Sequence, residues 1–116
     1  MTPRVVIVTN DFPPRPGGIQ SFVHGLAVRT PGVAVYAPSW PGCAEFDRHQ
    51  PYPIVRHPTS LMLPTPAVAR ATARLVAEHG ARTVVFDEAH SESWSIRRDV
   101  AETINPAHPD DSSYAR

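Results

Sequence analysis

Lysine is missing from the 116 residues: every one of the eleven cationic side chains is arginine. Any mechanism that turns on a lysine amine is therefore excluded, and a phosphate loop of the Walker type with it. Cysteine is nearly missing. Cys43 has no second cysteine to pair with, which rules out an internal disulfide, favours a reducing compartment and leaves a free thiol in a loop. Excess charge of either sign is missing too. Eleven acids balance eleven arginines, the sequence pI is about 7.0, and no polybasic run occurs. No basic field is offered to nucleic acid or to an anionic membrane, so no nucleic-acid partner is expected. Long apolar runs are missing as well. After Met1-Thr2-Pro3-Arg4 the chain enters Val5-Val6-Ile7-Val8-Thr9, too short for the apolar part of a signal peptide or for the ~20 residues of a membrane span. A cytoplasmic location is expected.

What is abundant is proline, with fourteen residues. Together with the exclusive use of arginine this reads as a GC-rich coding bias. The length suits one small domain, since a single core usually needs roughly 100 to 150 residues.

Val5-Val6-Ile7-Val8-Thr9 is a continuous β-branched run between charged and turn residues, the pattern of a strand buried on both faces of a parallel sheet. Asn10 to Gly18 holds three prolines and two glycines and is read as a loop of constrained shape. From Ile19 the apolar residues Ile19, Phe22, Val23, Leu26 and Ala27 fall on one helical face, and Pro31-Gly32 ends that helix. Val33 to Ala37 is a second strand and Ile54 to His57 a third, separated by a loop rich in proline, glycine and aromatic residues. Thr65-Pro66 supplies an N-cap followed by proline at the first helical position, and Gly80 stands where a left-handed C-terminal residue belongs. In that helix Val68, Thr72, Leu75, Val76 and His79 share one side, with Arg70, Arg74 and Glu78 facing outward. Thr83 to Phe86 is a fourth strand. Strands interleaved with helices at these spacings predict an α/β protein, part of a doubly wound and mostly parallel sheet.

Residues 87–116 change character, with few aliphatics and a polar end. Ser95 to Thr103 are read as a short helix and the last dozen or so residues as disordered. The expected division is 1–86 as a partial Rossmann-like domain and 87–116 as a divergent tail.

The glycine pair Gly17-Gly18 is the most informative feature. In an open α/β sheet, ligands gather at the carboxyl ends of the strands, and this pair lies at that edge. Glycines there let phosphates approach the backbone, and the free amides at the start of the following helix favour an anion. A tight turn with no ligand is the competing explanation. The loop lacks the G-x-G-x-x-G spacing of dinucleotide-binding folds. Asp87-Glu88-Ala89-His90 spells the acidic motif of a DEAH-type helicase, but without a phosphate loop upstream it has no partner. The histidines at 24, 49, 57, 79, 90 and 108 show no metal-ligand pairing, so no metal site is expected. Ser21 and Ser39 lack a nucleophile elbow, and Trp40 and Trp94 suit the cover of a core edge.

Val5 to Phe22, with Asn10-Asp11-Phe12-Pro13-Pro14-Arg15-Pro16-Gly17-Gly18-Ile19-Gln20 at its centre, resembles the start of retaining GT-B glycosyltransferases. The closest likeness is to the actinobacterial GDP-mannose-dependent phosphatidyl-inositol mannosyltransferase type. Val35 to Trp40 and Val55 to Pro66 resemble later segments of the same family in the same order. That family places two Rossmann-like domains across a cleft. The resemblance implies that Gly17, Gly18 and Ile19 form the loop whose backbone touches the donor diphosphate, and that Asn10 and Gln20 line the acceptor side. It implies GDP-mannose as donor with no separate cofactor, a lipid or glycan acceptor, and a peripheral site at the inner face of a membrane. The family's diphosphate-neutralising Arg and Lys and its E-x7-E segment belong to a second domain that the resembling region does not include. No catalytic residue is therefore assigned in this chain, and transfer by it alone is not expected. A non-catalytic α/β protein that binds an anion or a partner chain at the Gly17-Gly18 edge is the alternative.

Overall fold

The structure, a computed structural model, describes residues 4–86. The element order is β1 (Val5–Val8), α1 (Gly18–Val28), β2 (Val33–Pro38), α2 (Cys43–Arg48), β3 (Ile54–His57), α3 (Pro66–His79) and β4 (Thr83–Phe86). The expected α/β architecture is present. All four strands are parallel, in the order β3-β2-β1-β4. The expected tail helix and disordered end, the DEAH-like tetrad, Trp94, His90 and His108 lie outside the described residues.

The strand pattern explains the layering. Side chains alternate across a strand, and the sheet is covered on both faces. Val6, Val8, Ala34 and Tyr36 point to one face, where Val68, Leu75 and Val76 of α3 close the core. Ile7, Val33, Val35 and Ala37 point to the other, where Val23 and Ala27 of α1 join Phe12 and Phe46. An inner strand covered on both sides has no polar face to show, hence the unbroken apolar runs of β1 and β2.

Helix α3 carries the ends its sequence announces. The Thr65 hydroxyl accepts from Val68 N–H at 3.3 Å, Pro66 occupies the first turn, and Gly80 adopts a left-handed conformation at φ 68°. The amide of Ala81 then reaches back to the carbonyl of Val76 at 3.0 Å and closes the helix.

Two expectations are corrected. The segment between β2 and β3 is not all loop. Gly42, at φ 85°, opens the six-residue helix α2, too short for its periodicity to register. The apolar face of α1 is also rotated from the one expected. Val23 and Ala27 are buried, but Ile19, Phe22 and Leu26 are exposed, and the polar Gln20 is buried in their place. A loop folded back beneath the first turn draws Gln20 inward and turns Phe22 out.

The topology positions the site. From β1 the chain moves outward to β2 and β3, then returns across the sheet to place β4 on the other side of β1. The switch point of the winding lies between β1 and β4, and the loop leaving β1 there is Thr9 to Gly17. Ligands of open α/β sheets bind in the crevice at such a point, outside the carboxyl ends of the strands.

Candidate functional site

The loop is built from the bottom up. Thr9 is buried at the end of β1, and its hydroxyl accepts from Asp11 N–H at 2.9 Å, turning the chain out of the sheet. Phe12 plugs the core beneath, edge-on to His24 and Phe46 with ring centroids 6.1 and 5.9 Å away. Three prolines follow, with a cis bond between Pro13 and Pro14. Gly17 has φ 148°, a conformation that side chains other than glycine rarely adopt. A Cβ on Gly17 would also collide with the carboxamide of Gln20. Gly18 is different: nothing lies within 4 Å of where its Cβ would stand.

Helix α1 starts here without a side-chain cap or an acidic residue in its first turn. Among the described residues no side chain caps its leading amides, and an uncapped helix start favours a bound anion. Gly17 O accepts from Ser21 N–H at 3.1 Å, the first helical bond.

The five residues singled out from sequence lie along one stretch of this edge. Gly17, Gly18 and Ile19 form the loop-to-helix junction, with Ile19 half exposed. Gln20 is buried beneath it, its amide 3.4 Å from Asp11 Oδ1. Asn10 is engaged elsewhere: its Nδ2 donates to Met62 O at 3.1 Å, and Met62 N–H donates to its Oδ1 at 2.7 Å. It therefore ties the β1 loop to the β3–α3 loop, and each of its polar atoms keeps capacity for one further hydrogen bond.

Three functional candidates went unremarked in sequence. Arg15 lies two residues before Gly17, its guanidinium 5.3 Å from the Trp40 ring centre. Arg56 and Asp47 form a half-buried ion pair beneath the loop, 2.7 Å between Nη2 and Oδ1. The signal for Arg56 was legible: a lone guanidinium inside an apolar strand needs a buried partner.

The described histidines have structural partners. His24 meets Gln50, His57 meets the hydroxyl of buried Tyr36 at 3.1 Å, His49 meets Glu45, and His79 meets the carbonyl of Gly32. Burial pushes the Tyr36 phenol up. No metal-holding cluster occurs among the described residues. Cys43 is a partly exposed free thiol.

A second concavity, of about 850 Å³, lies at the opposite end of the sheet between Arg4, Pro31, Tyr52, His79 and Arg82. One of its cations has local work, since Arg4 Nη1 donates to the carbonyl of His79 at the negative end of α3. Among the described residues α2 also starts uncapped at an open glycine, Gly42, but it carries the acidic Glu45 in its first turn, whereas the first turn of α1 has no acid.

An open parallel sheet with a glycine loop feeding an uncapped helix at its switch point defines a Rossmann-like α/β protein. No protein-family model matches the chain. Individual relatives do. A GDP-mannose-dependent alpha-(1-6)-phosphatidylinositol monomannoside mannosyltransferase of Mycolicibacterium smegmatis is 50% identical over 91 residues, covering 73% of this chain and 24% of the relative. A protein of the same description from Mycobacterium tuberculosis H37Rv is 48% identical over 94 residues, with 74% and 24% covered. A GDP-mannose-dependent monoacylated alpha-(1-6)-phosphatidylinositol monomannoside mannosyltransferase of Corynebacterium glutamicum is 39% identical over 90 residues, again with 74% and 24% covered. These mannosyltransferases are homologues of the chain, which spans about a quarter of their length.

Proposed function

We propose that this chain supplies the loop-bearing half of a mannosyltransferase N-terminal domain, and that the Gly17-Gly18 edge receives the diphosphate of a GDP-mannose donor. The observation that carries the reading is the unfilled space at Gly18 beside the uncapped amides of α1, in a chain whose relatives are described as GDP-mannose-dependent. Glycine at that position lets a phosphate oxygen reach the backbone N–H groups, and the helix dipole offsets its charge. Gln20 and Asn10 flank the acceptor, a phosphatidylinositol mannoside by the relatives' description, and this lipid brings the site to the inner face of a membrane. Among the described residues no helix is long and apolar enough to cross one.

Transfer requires charge stabilisation on the departing diphosphate, usually the largest single catalytic contribution. The described crevice offers backbone amides and the nearby Arg15. We therefore expect this chain alone to bind GDP without transferring mannose. The test is a calorimetric titration of the chain with GDP and GDP-mannose, paired with an assay of labelled mannose transfer to phosphatidylinositol mannoside. Weak GDP binding without turnover supports the reading. No binding removes the donor-site assignment, and turnover removes the claim that the chain does not act alone.

A further inference from the structure

We propose that the Arg56–Asp47 pair is the device that positions the glycine loop for its ligand. The proposal rests on the donor-site reading of Gly17-Gly18 but is carried by a separate set of contacts. Arg56 stands on β3, and its side chain is 10% exposed. Its Nε and Nη2 fork onto Asp47 of α2 at 3.0 and 2.7 Å. Its Nη1 donates to Pro38 O at the end of β2 at 2.9 Å, and Nη2 donates to Pro13 O in the loop at 2.7 Å. The guanidinium face lies 5.5 Å from the centre of the Phe12 ring. One side chain thus holds two strands, a helix and two consecutive residues of the loop.

The anchor point decides how far its influence reaches. Between Phe12 and Gly17 lie Pro13, Pro14, Arg15 and Pro16, and each proline has its φ locked near −65°. A segment with so little torsional freedom transmits the placement of its base to its tip. Holding Pro13 O therefore sets where Gly17 and Gly18 stand.

A buried ion pair is weak evidence for stability, because desolvation offsets most of its Coulomb attraction. Its more consistent effect here is geometric: the planar fork accepts one arrangement of Asp47, Pro38 and Pro13 and rejects others. Lysine keeps the charge and loses the fork. Arg56 is a positioning residue, acting on the ligand through the loop.

The experiment uses the full 116-residue chain as wild type, Arg56→Lys, and the double variant Arg56→Met with Asp47→Leu, which replaces the pair with apolar groups. Backbone amide spectra are recorded without ligand, and GDP is then titrated. The expected result is that the amides of Val6 to Val8 keep their positions in both variants while those of Gly17 and Gly18 move or broaden, and that GDP affinity falls about tenfold, because an unheld loop must be ordered on binding. Arg48→Gln, which breaks the exposed pair with Glu45, leaves all of these unchanged. Glycine signals and GDP affinity that match wild type in both variants overturn the proposal. Loss of the strand signals in both variants also overturns it, because the pair is then an anchor of the whole fold. If one variant fails to fold, the other decides. If the wild type binds no GDP, the donor-site reading fails, and the ligand-free glycine signals still decide the positioning role.

Discussion

Asn10 and Met62, 52 residues apart, are joined by two hydrogen bonds through the carboxamide of one and the backbone of the other. A carboxamide can mimic a peptide edge, donating and accepting on one side. Here it splices two loops that emerge from β1 and β3 at the carboxyl edge of the sheet. The sequence resemblance implies an acceptor-side role for Asn10, and the splice gives that position a structural reason as well.

Asn10→Ala strands the amide and carbonyl of Met62 in a partly buried setting. It should cost about 1–3 kcal/mol, the usual penalty for buried groups left without partners. For a domain of this size that is a fall in melting temperature of roughly 5–15 °C by circular dichroism. Asn10→Asp keeps the acceptor for Met62 N–H and loses the donor to Met62 O, so it should fall between. An unchanged melting temperature for the alanine variant would show that the splice carries no net stability.

The two glycines should respond in opposite ways. Gly17→Ala forces a side chain into the φ 148° conformation and against Gln20, with an expected loss of about 1–3 kcal/mol. Gly18→Ala meets no protein atom and sits at the first residue of α1, where alanine is the better helix former by roughly 0.5–1 kcal/mol. Gly18→Ala should therefore be neutral or slightly stabilising in urea denaturation and yet bind GDP more weakly. Equal GDP affinity in Gly18→Ala and wild type would mean that the open space is not where the phosphates lie.

Phe22 and Val23 test which face of α1 is covered. Phe22 is 72% exposed and Val23 only 7%. Phe22→Ala should change stability by less than about 0.5 kcal/mol, while Val23→Ala opens a gap above the sheet and should cost about 1–3 kcal/mol. The reverse ranking in chemical denaturation would restore the helical face that apolar periodicity alone suggests.

That disagreement shows where sequence reasoning holds and where it stops. β1 and β2 were legible because each is a short apolar run with both faces covered, β3 and β4 because short β-branched stretches stand between turn formers, and α3 because Thr65, Pro66 and Gly80 mark its ends in local chemistry. The glycine edge was legible because its position after the first strand follows from the topology. The orientation of α1 was not: Ile19, Phe22 and Leu26 satisfy the same period as Val23 and Ala27, and only the folded-back loop selects between them. Helix α2 spans six residues between turn formers and offers no periodicity to detect. The need of Arg56 for a partner is legible in β3, but that the partner is Asp47, on an element brought to it by packing, is recorded by no local pattern.

Tyr52 yields a prediction in pH. Burial pushes its phenol up to about 12, with the nearby Asp47 carboxylate adding to the rise and Arg56 opposing it. Among the described residues its hydroxyl is buried with no hydrogen-bond partner. In the unfolded chain the same phenol ionises near 10. Below that pH both states keep the proton and the buried neutral phenol is fully tolerated. As pH rises from 10 toward 12 the unfolded chain releases its proton while the folded chain retains it, so unfolding becomes progressively favoured and stability falls. Tyr52→Phe removes that contribution and forfeits no hydrogen bond, so at neutral pH it should be as stable as wild type or slightly more so. Urea midpoints measured at about pH 8, 10 and 11 should then diverge, with the wild type declining more steeply than the variant. Tyr36, raised by burial in both proteins, contributes equally to the two curves and cancels in the comparison. Parallel declines would show that the Tyr52 hydroxyl reaches solvent in the folded chain, and with it that the contact between α2 and β3 around Asp47 and Arg56 is looser than the fork implies.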